Sequence, residues 1–195
     1  MGFTDTYETI FRVVLISICI YHIFKHQFKI AASSVMIFAF SYLSLSLSKL
    51  FQIDIDPISN LIYLIFTFMA IHLGGSLKFY DKYKNWDRIV HALSGILFVG
   101  FGIAITHIDP TINKIIVLIF GFTFSISIHI IWEVLEYISD CLFHSNAQRW
   151  QMHHVSINHV SPSAIQPAGL VDTMIDTICC IIGSAIATFI WAFLI

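Results

Sequence analysis

Charge is what this sequence has least of. Only 11% of its 195 residues are charged, while 57% are hydrophobic; the net charge is -2 and the mean hydropathy +0.83. A soluble globular domain of this length needs more polar surface than that, so the composition excludes one. No cluster of Lys and Arg is present, which excludes a nucleic-acid partner. The four cysteines include no CxxC, so neither a paired-cysteine zinc motif nor a dithiol redox motif is available. A phosphate-cradling glycine loop and a nucleophile elbow are also missing, which argues against NTPase and serine-hydrolase chemistry. The opening residues MGFTDTYETIFR lack the basic start of a secretory leader, so the first apolar run is expected to be a retained helix.

What the chain does have is apolar blocks of membrane-spanning length, rich in its 18 Phe. Six helical spans can be drawn, over residues 8–24, 30–51, 57–76, 87–106, 112–140 and 168–195. Breakers such as Asp56-Pro57 and Asp109-Pro110 separate neighbouring spans. The expectation is an all-α, polytopic membrane bundle forming one domain, with a polar loop at 141–167. Lys25, Lys29, Lys78, Lys82, Lys84, Arg88 and Arg149 fall at one end of this bundle, and only Arg12, Lys49 and Lys114 at the other. The positive-inside rule then puts the basic end in the cytoplasm.

The stretch 125–143, SISIHIIWEVLEYISDCLF, sets His129, Glu133 and Glu136 into an apolar run. At roughly 100° per residue, offsets of four and seven place all three on one helix face. Carboxylates at membrane depth cost roughly 2.5 to 3.5 kcal/mol each on insertion scales, so they are rarely present without a partner or a task. Span four opens with Asp87 and, one turn on, His91; span six opens with Asp172 and, one turn on, Asp176. In an up-and-down bundle these two helices start where span five ends. All seven groups are therefore expected at one level, near the cytoplasmic face.

Five neighbouring carboxylates cannot all stay ionised in a low-dielectric site without compensation. A bound divalent cation, protonated carboxyls, or a hydrated cavity with Arg88 and histidines as counter-charges would each supply it. The donor set suits Zn, Mn, Fe or Mg, with Asp87, His91, Glu133, Glu136, Asp172 and Asp176 as the candidate metal ligands. His129 and Glu133 are the candidate catalytic pair, His129 acting behind the ligands or in proton transfer. Bland readings stand beside these: Asp87 and Asp172 as helix caps, and His91 and His129 as interhelical hydrogen-bonding residues. His72, Ser94, Ser125 and Thr177 are candidate supporting residues. His144, His153, His154 and His159 in the polar loop have no recognised ligand spacing; the loop reads as solvated, or as a lid over the site.

The series Asp87-Arg88-x-x-His91-x-x-x-Gly95, Glu133-x-x-Glu136 and Asp172-x-x-x-Asp176, with Gly183 beyond, resembles the YjdF-type family of bacterial inner-membrane proteins. It is similar, more distantly, to VanZ-like membrane proteins. The resemblance covers residues 60–190. It implies a compact helical protein of the bacterial inner membrane sharing Asp87, His91, Glu133, Glu136, Asp172 and Asp176, and no particular reaction. The chain departs from the pattern where Ile165-Gln166-Pro167-Ala168-Gly169 stands in place of a glycine-rich approach to the last helix. The expected function is metal-dependent hydrolysis of a lipid-like substrate at the bilayer. The alternatives are an ion- or proton-coupled transporter using the same carboxyls, and a structural adaptor. A transporter should carry polar residues through to the far end, where spans one, two and six read as nearly apolar.

Overall fold

A computed structural model describes residues 3–106, 109, 111–149 and 166–195. Helix α1 is Phe3–Phe24, α2 Phe28–Phe40, α3 Leu43–Phe51 and α4 Pro57–Thr67; α4 runs on into a π-helical segment, Phe68–Ser76. A single turn, α5 (Phe79–Lys82), leads to α6 (Trp86–Thr106), α7 (Lys114–Phe143) and α8 (Ala168–Leu194). No strand occurs among the described residues. Six helical stretches are long and apolar enough to cross a membrane, α2 with α3 counting as one and α4 with the π segment as another.

Local chemistry sets the ends of these elements. The Asp56 carboxylate accepts from the amides of Ile58 and Ser59, both at 2.9 Å, with Pro57 in the first helical position. Asn113 caps α7 in the same way, through the amide of Ile115 at 2.8 Å. The π segment is marked by the Leu77 amide donating to the His72 carbonyl five residues back, at 2.9 Å.

Two features of the long spans were not expected. The second breaks at Ser41-Tyr42 between α2 and α3. There the Phe40 carbonyl accepts from the Tyr63 hydroxyl at 2.9 Å, and the Ser41 carbonyl from the Arg12 guanidinium at 3.0 Å. Backbone groups freed inside a membrane need such partners. The second feature is that the far end is not apolar in α1. Glu8 and Arg12 pair at 2.8 Å, Glu8 accepts from Asn60 at 2.6 Å, and Arg12 lies 3.9 Å from the Tyr42 ring centre.

Helix α6 is the axis of the bundle, packing against α4, α7 and α8. Val99, Ile103, Val117 and Ala187 form one buried apolar cluster, and Tyr63, Leu64 and Leu97 another. Helices α6 and α8 approach until backbones touch. A Cβ on Gly95 would meet the Cys180 carbonyl and, at 2.9 Å, the Ser184 amide; one on Gly183 would run into the carbonyl of Ala92. Small residues of this kind are how helices gain contact area where lipid removes the hydrophobic incentive to associate. The Ser184 hydroxyl bonds to Ser125 at 3.0 Å, and Ser125 donates to the Gly95 carbonyl at 3.0 Å, which ties α7 to the same seam.

Candidate functional site

The first turns of α6 and α8 and the later half of α7 meet at one end of the bundle. On α6, Asp87 and His91 stand one turn apart, with His91 Nε2 3.4 Å from Asp87 Oδ1. Asp176 enters from α8, its Oδ2 3.9 Å from the same nitrogen. From α7, Glu133 Oε1 lies 3.6 Å from His129 Nε2. The imidazoles of His91 and His129 meet edge to face, centres 5.1 Å apart. His91, His129, Glu133 and Asp176 are all buried.

The His91–Asp87 contact is at the long limit of a hydrogen bond and the other two lie beyond it. Ligands held about 2.1 Å from one ion lie roughly 3.0 to 3.5 Å from one another, so donor atoms that here lie within 4.8 Å of one another would have to close in to share a cation. Donor atoms fall into two such groups, Asp87 with His91 and Asp176, and His91 with His129 and Glu133. Glu133 is 5% exposed, and its Oε1 has no hydrogen-bond partner. An orphan carboxylate oxygen at that depth is costly unless something charged or protic comes to it.

The hydroxyl of Thr177 distinguishes the two groups. It reaches the Thr173 carbonyl at 2.7 Å and His129 Nε2 at 3.1 Å. When it donates to the carbonyl, His129 donates to it and carries its proton on Nε2, next to Glu133. That suits proton handling better than ligation, which needs a bare nitrogen.

Glu136 and Asp172, both half-buried, fall in neither group. Glu136 accepts a 2.7 Å hydrogen bond from the exposed indole of Trp132 and so sits toward the outer face of α7. Asp172 is one turn before Asp176 on α8. Of the supporting residues expected, Thr177 touches the site, Ser125 lies in the seam beneath it, and Ser94 donates to the His91 carbonyl at 2.8 Å. His72 is elsewhere, bonded to Ser33.

The counter-charge is Arg149, not Arg88. Arg88 donates to Asn85 at 3.1 Å, whereas the Arg149 guanidinium reaches Asp87 Oδ2 at 3.0 Å and the Tyr80 carbonyl at 3.3 Å. Its delivery depends on Asp140, whose carboxylate accepts from the Ser145 hydroxyl and from the amides of Ala147 and Gln148. This folds the chain back after His144, which closes α7 in the left-handed conformation. Gln148 then donates to Thr173 at 3.0 Å, so this turn docks on α8 beside the site. Residues 150–165, with His153, His154 and His159, lie outside the described residues, and so does most of the expected lid.

Neither Asp140 nor Arg149 stood out in the sequence. Arg149 counted only toward the charge bias, and nothing local to it signals a partner on another helix. Tyr80, in the single turn before α6, packs its ring against Gly74. Burial first, and then the neighbouring Asp87 and Glu136, push its phenol above the usual tyrosine range, so it stays protonated.

A family model described as a predicted membrane protein (DUF2238) matches residues 7–195. No curated protein and no solved structure matches the chain.

Proposed function

This chain belongs to the DUF2238 family of predicted membrane proteins, and from that premise we propose that it is a metal-dependent hydrolase acting on a lipid-like substrate at the membrane surface. Asp87, His91 and Asp176 are the ligands of one divalent ion, and Glu133 is the base beside it. The observation that carries this reading is the orphan Glu133 Oε1, buried in a donor group that shares His91 with Asp87 and Asp176. Charge supports it: the three carboxylates of Asp87, Glu133 and Asp176 are balanced by one divalent cation together with Arg149. Two carboxylates and an imidazole suit Zn, Mn or Fe better than a metal that keeps most of its waters.

A divalent ion there would polarise a phosphoryl or carbonyl oxygen and bring a bound water's pKa down to about 7. Glu133 would accept the proton of an attacking water through its free oxygen. As the bond to the leaving group breaks, Glu133 would pass that proton to it, directly or by way of His129, whose Nε2 lies 3.6 Å from Glu133 Oε1. Glu136 and Trp132 mark the lipid-facing rim, where a headgroup would arrive from the bilayer. The site faces the cytoplasm of a bacterial inner membrane in this reading, supported by the basic bias of that end.

Transport is the second reading, and the structure offers it one observation: the broken α2–α3 span with Glu8, Arg12 and Asn60 around it, an arrangement that transporters use to line a path. Elemental mass spectrometry of detergent-purified protein separates the readings. The hydrolase predicts near-stoichiometric divalent metal in the parent, lost in folded Asp176→Asn and in folded His91→Ala, and kept in Glu133→Gln. A well-folded parent that takes up none when metal is offered would sink the metalloenzyme reading and leave transport or a purely structural role.

A further inference from the structure

A second pair of histidines lies at the same end of the bundle, between α1 and the π segment, and takes no part in the site above. His72 is 2% exposed; His22, in the last turn of α1, is half-buried. Their ring centres are 6.1 Å apart at an interplanar angle of 62°.

The hydrogen bonds favour one tautomer of each ring. The Ser33 hydroxyl reaches the Ile30 carbonyl at 2.8 Å, and when it donates there the imidazole is the donor in the 2.9 Å contact of His72 Nδ1 with Ser33. His22 Nδ1 lies 2.6 Å from Gln27 Oε1, an oxygen that can only accept. Both rings then hold their proton on Nδ1 against an oxygen, and each Nε2 keeps a bare lone pair. This is the arrangement in which protein imidazoles bind metals, the second nitrogen being anchored so that the first is presented as a base. Two imidazoles sharing one ion through nitrogens at about 2.0 Å have ring centres roughly 5 Å apart in tetrahedral and roughly 6.4 Å apart in linear coordination. The observed separation lies toward the linear end.

We propose that His22 and His72 form a copper(I) site, binding the ion through their two Nε2 atoms. Both donors are neutral, so the ion's full charge stays in the low-dielectric interior, and a monovalent ion is penalised least. Imidazole suits copper, and two imidazoles are enough for a d10 ion that accepts two ligands. The π segment, a geometry that recurs at functional positions, supplies His72. The site is independent of the Asp/His/Glu cluster, which offers hard oxygen donors to divalent ions.

The test is anaerobic titration of the detergent-purified full chain with copper(I) in competition with bicinchoninate, fold being checked by gel filtration. The parent is expected to bind one copper(I), with affinity falling at least about 100-fold in His22→Ala and in His72→Ala and unchanged in Glu133→Gln. Gln27→Ala, which frees the His22 tautomer, is expected to weaken binding about 10-fold. Should His72→Ala fail to fold, His22→Ala, near the helix end, decides alone. Three results each overturn the proposal: no copper in the parent, undiminished copper in folded His22→Ala, or loss of the tight site in Glu133→Gln.

Discussion

The two ends of the bundle hold comparable polar groups and treat them differently. At one end, Glu8, Arg12, Ser41, Ser44 and Asn60 are bonded to one another at 2.5 to 3.0 Å, each carboxylate oxygen of Glu8 with its own donor. At the other, His91 stands 3.4 Å from Asp87 and 3.9 Å from Asp176, and His129 3.6 Å from Glu133, with one Glu133 oxygen unmatched. Similar chemistry thus gives a closed network and an open one. A closed network has its bonding satisfied internally and its work is to hold the break between α2 and α3. An open network leaves a buried carboxylate oxygen without a partner.

Substitutions at the two ends should behave in opposite ways. The largest effect is expected from Arg12→Ala, which strands the Glu8 carboxylate and uncaps the Ser41 carbonyl. It should cost about 3 kcal/mol or more in detergent unfolding, with no change on adding metal. Arg149→Ala removes the counter-charge of Asp87 and should cost about 1 to 2 kcal/mol. Part of that loss should return on adding Mn(II) or Zn(II), measured as a shift in thermal midpoint. Glu133→Gln without metal should change stability by less than about 1 kcal/mol, since no hydrogen bond to Oε1 is lost and crowding of like charge falls. A large destabilisation in that variant would show that the open end is as structural as the closed one.

The smallest effect lies at the α6–α7 connection, at the end away from the site. The hydroxyl and amide of Thr111 hold the exposed Asp109 carboxyl below the usual carboxylate range. With a folded value below the unfolded one of about 4, the stabilisation is present above that pH and lost as the pH falls through the folded value. Asp109→Asn should flatten the stability profile only in that acid window, as read by unfolding between pH 5 and pH 2.

The six spans were legible because length and apolarity alone decide them, and Asp87, His91, Glu133 and Asp176 were legible because helical periodicity places acids and histidines by counting. The break at Ser41-Tyr42 was not, because neither residue is a strong helix breaker and the partners of the freed carbonyls, Arg12 and Tyr63, come from other helices. Glu8 and Arg12 did carry a local signal, an acid and a base one turn apart, which the run of apolar residues after them obscured. Glu136 and Asp172 follow the same periodicity as their neighbours yet fall in neither donor group, since counting along one helix does not fix its rotation against another; Glu136 turns instead to the exposed Trp132. Arg149 depends on the Asp140 turn, a tertiary arrangement with no periodic trace.

The backbone contact between α6 and α8 has a mechanical consequence. With Gly95 seated against the Cys180 carbonyl and Gly183 against that of Ala92, the two helices move as one girder. Asp87, His91 and Asp176 ride on that girder, and Glu133 and His129 ride on α7. Changes in lateral pressure or bilayer thickness that tilt α7 would therefore alter the distance from Glu133 and His129 to Asp87, His91 and Asp176 while leaving the mutual spacing of those three untouched.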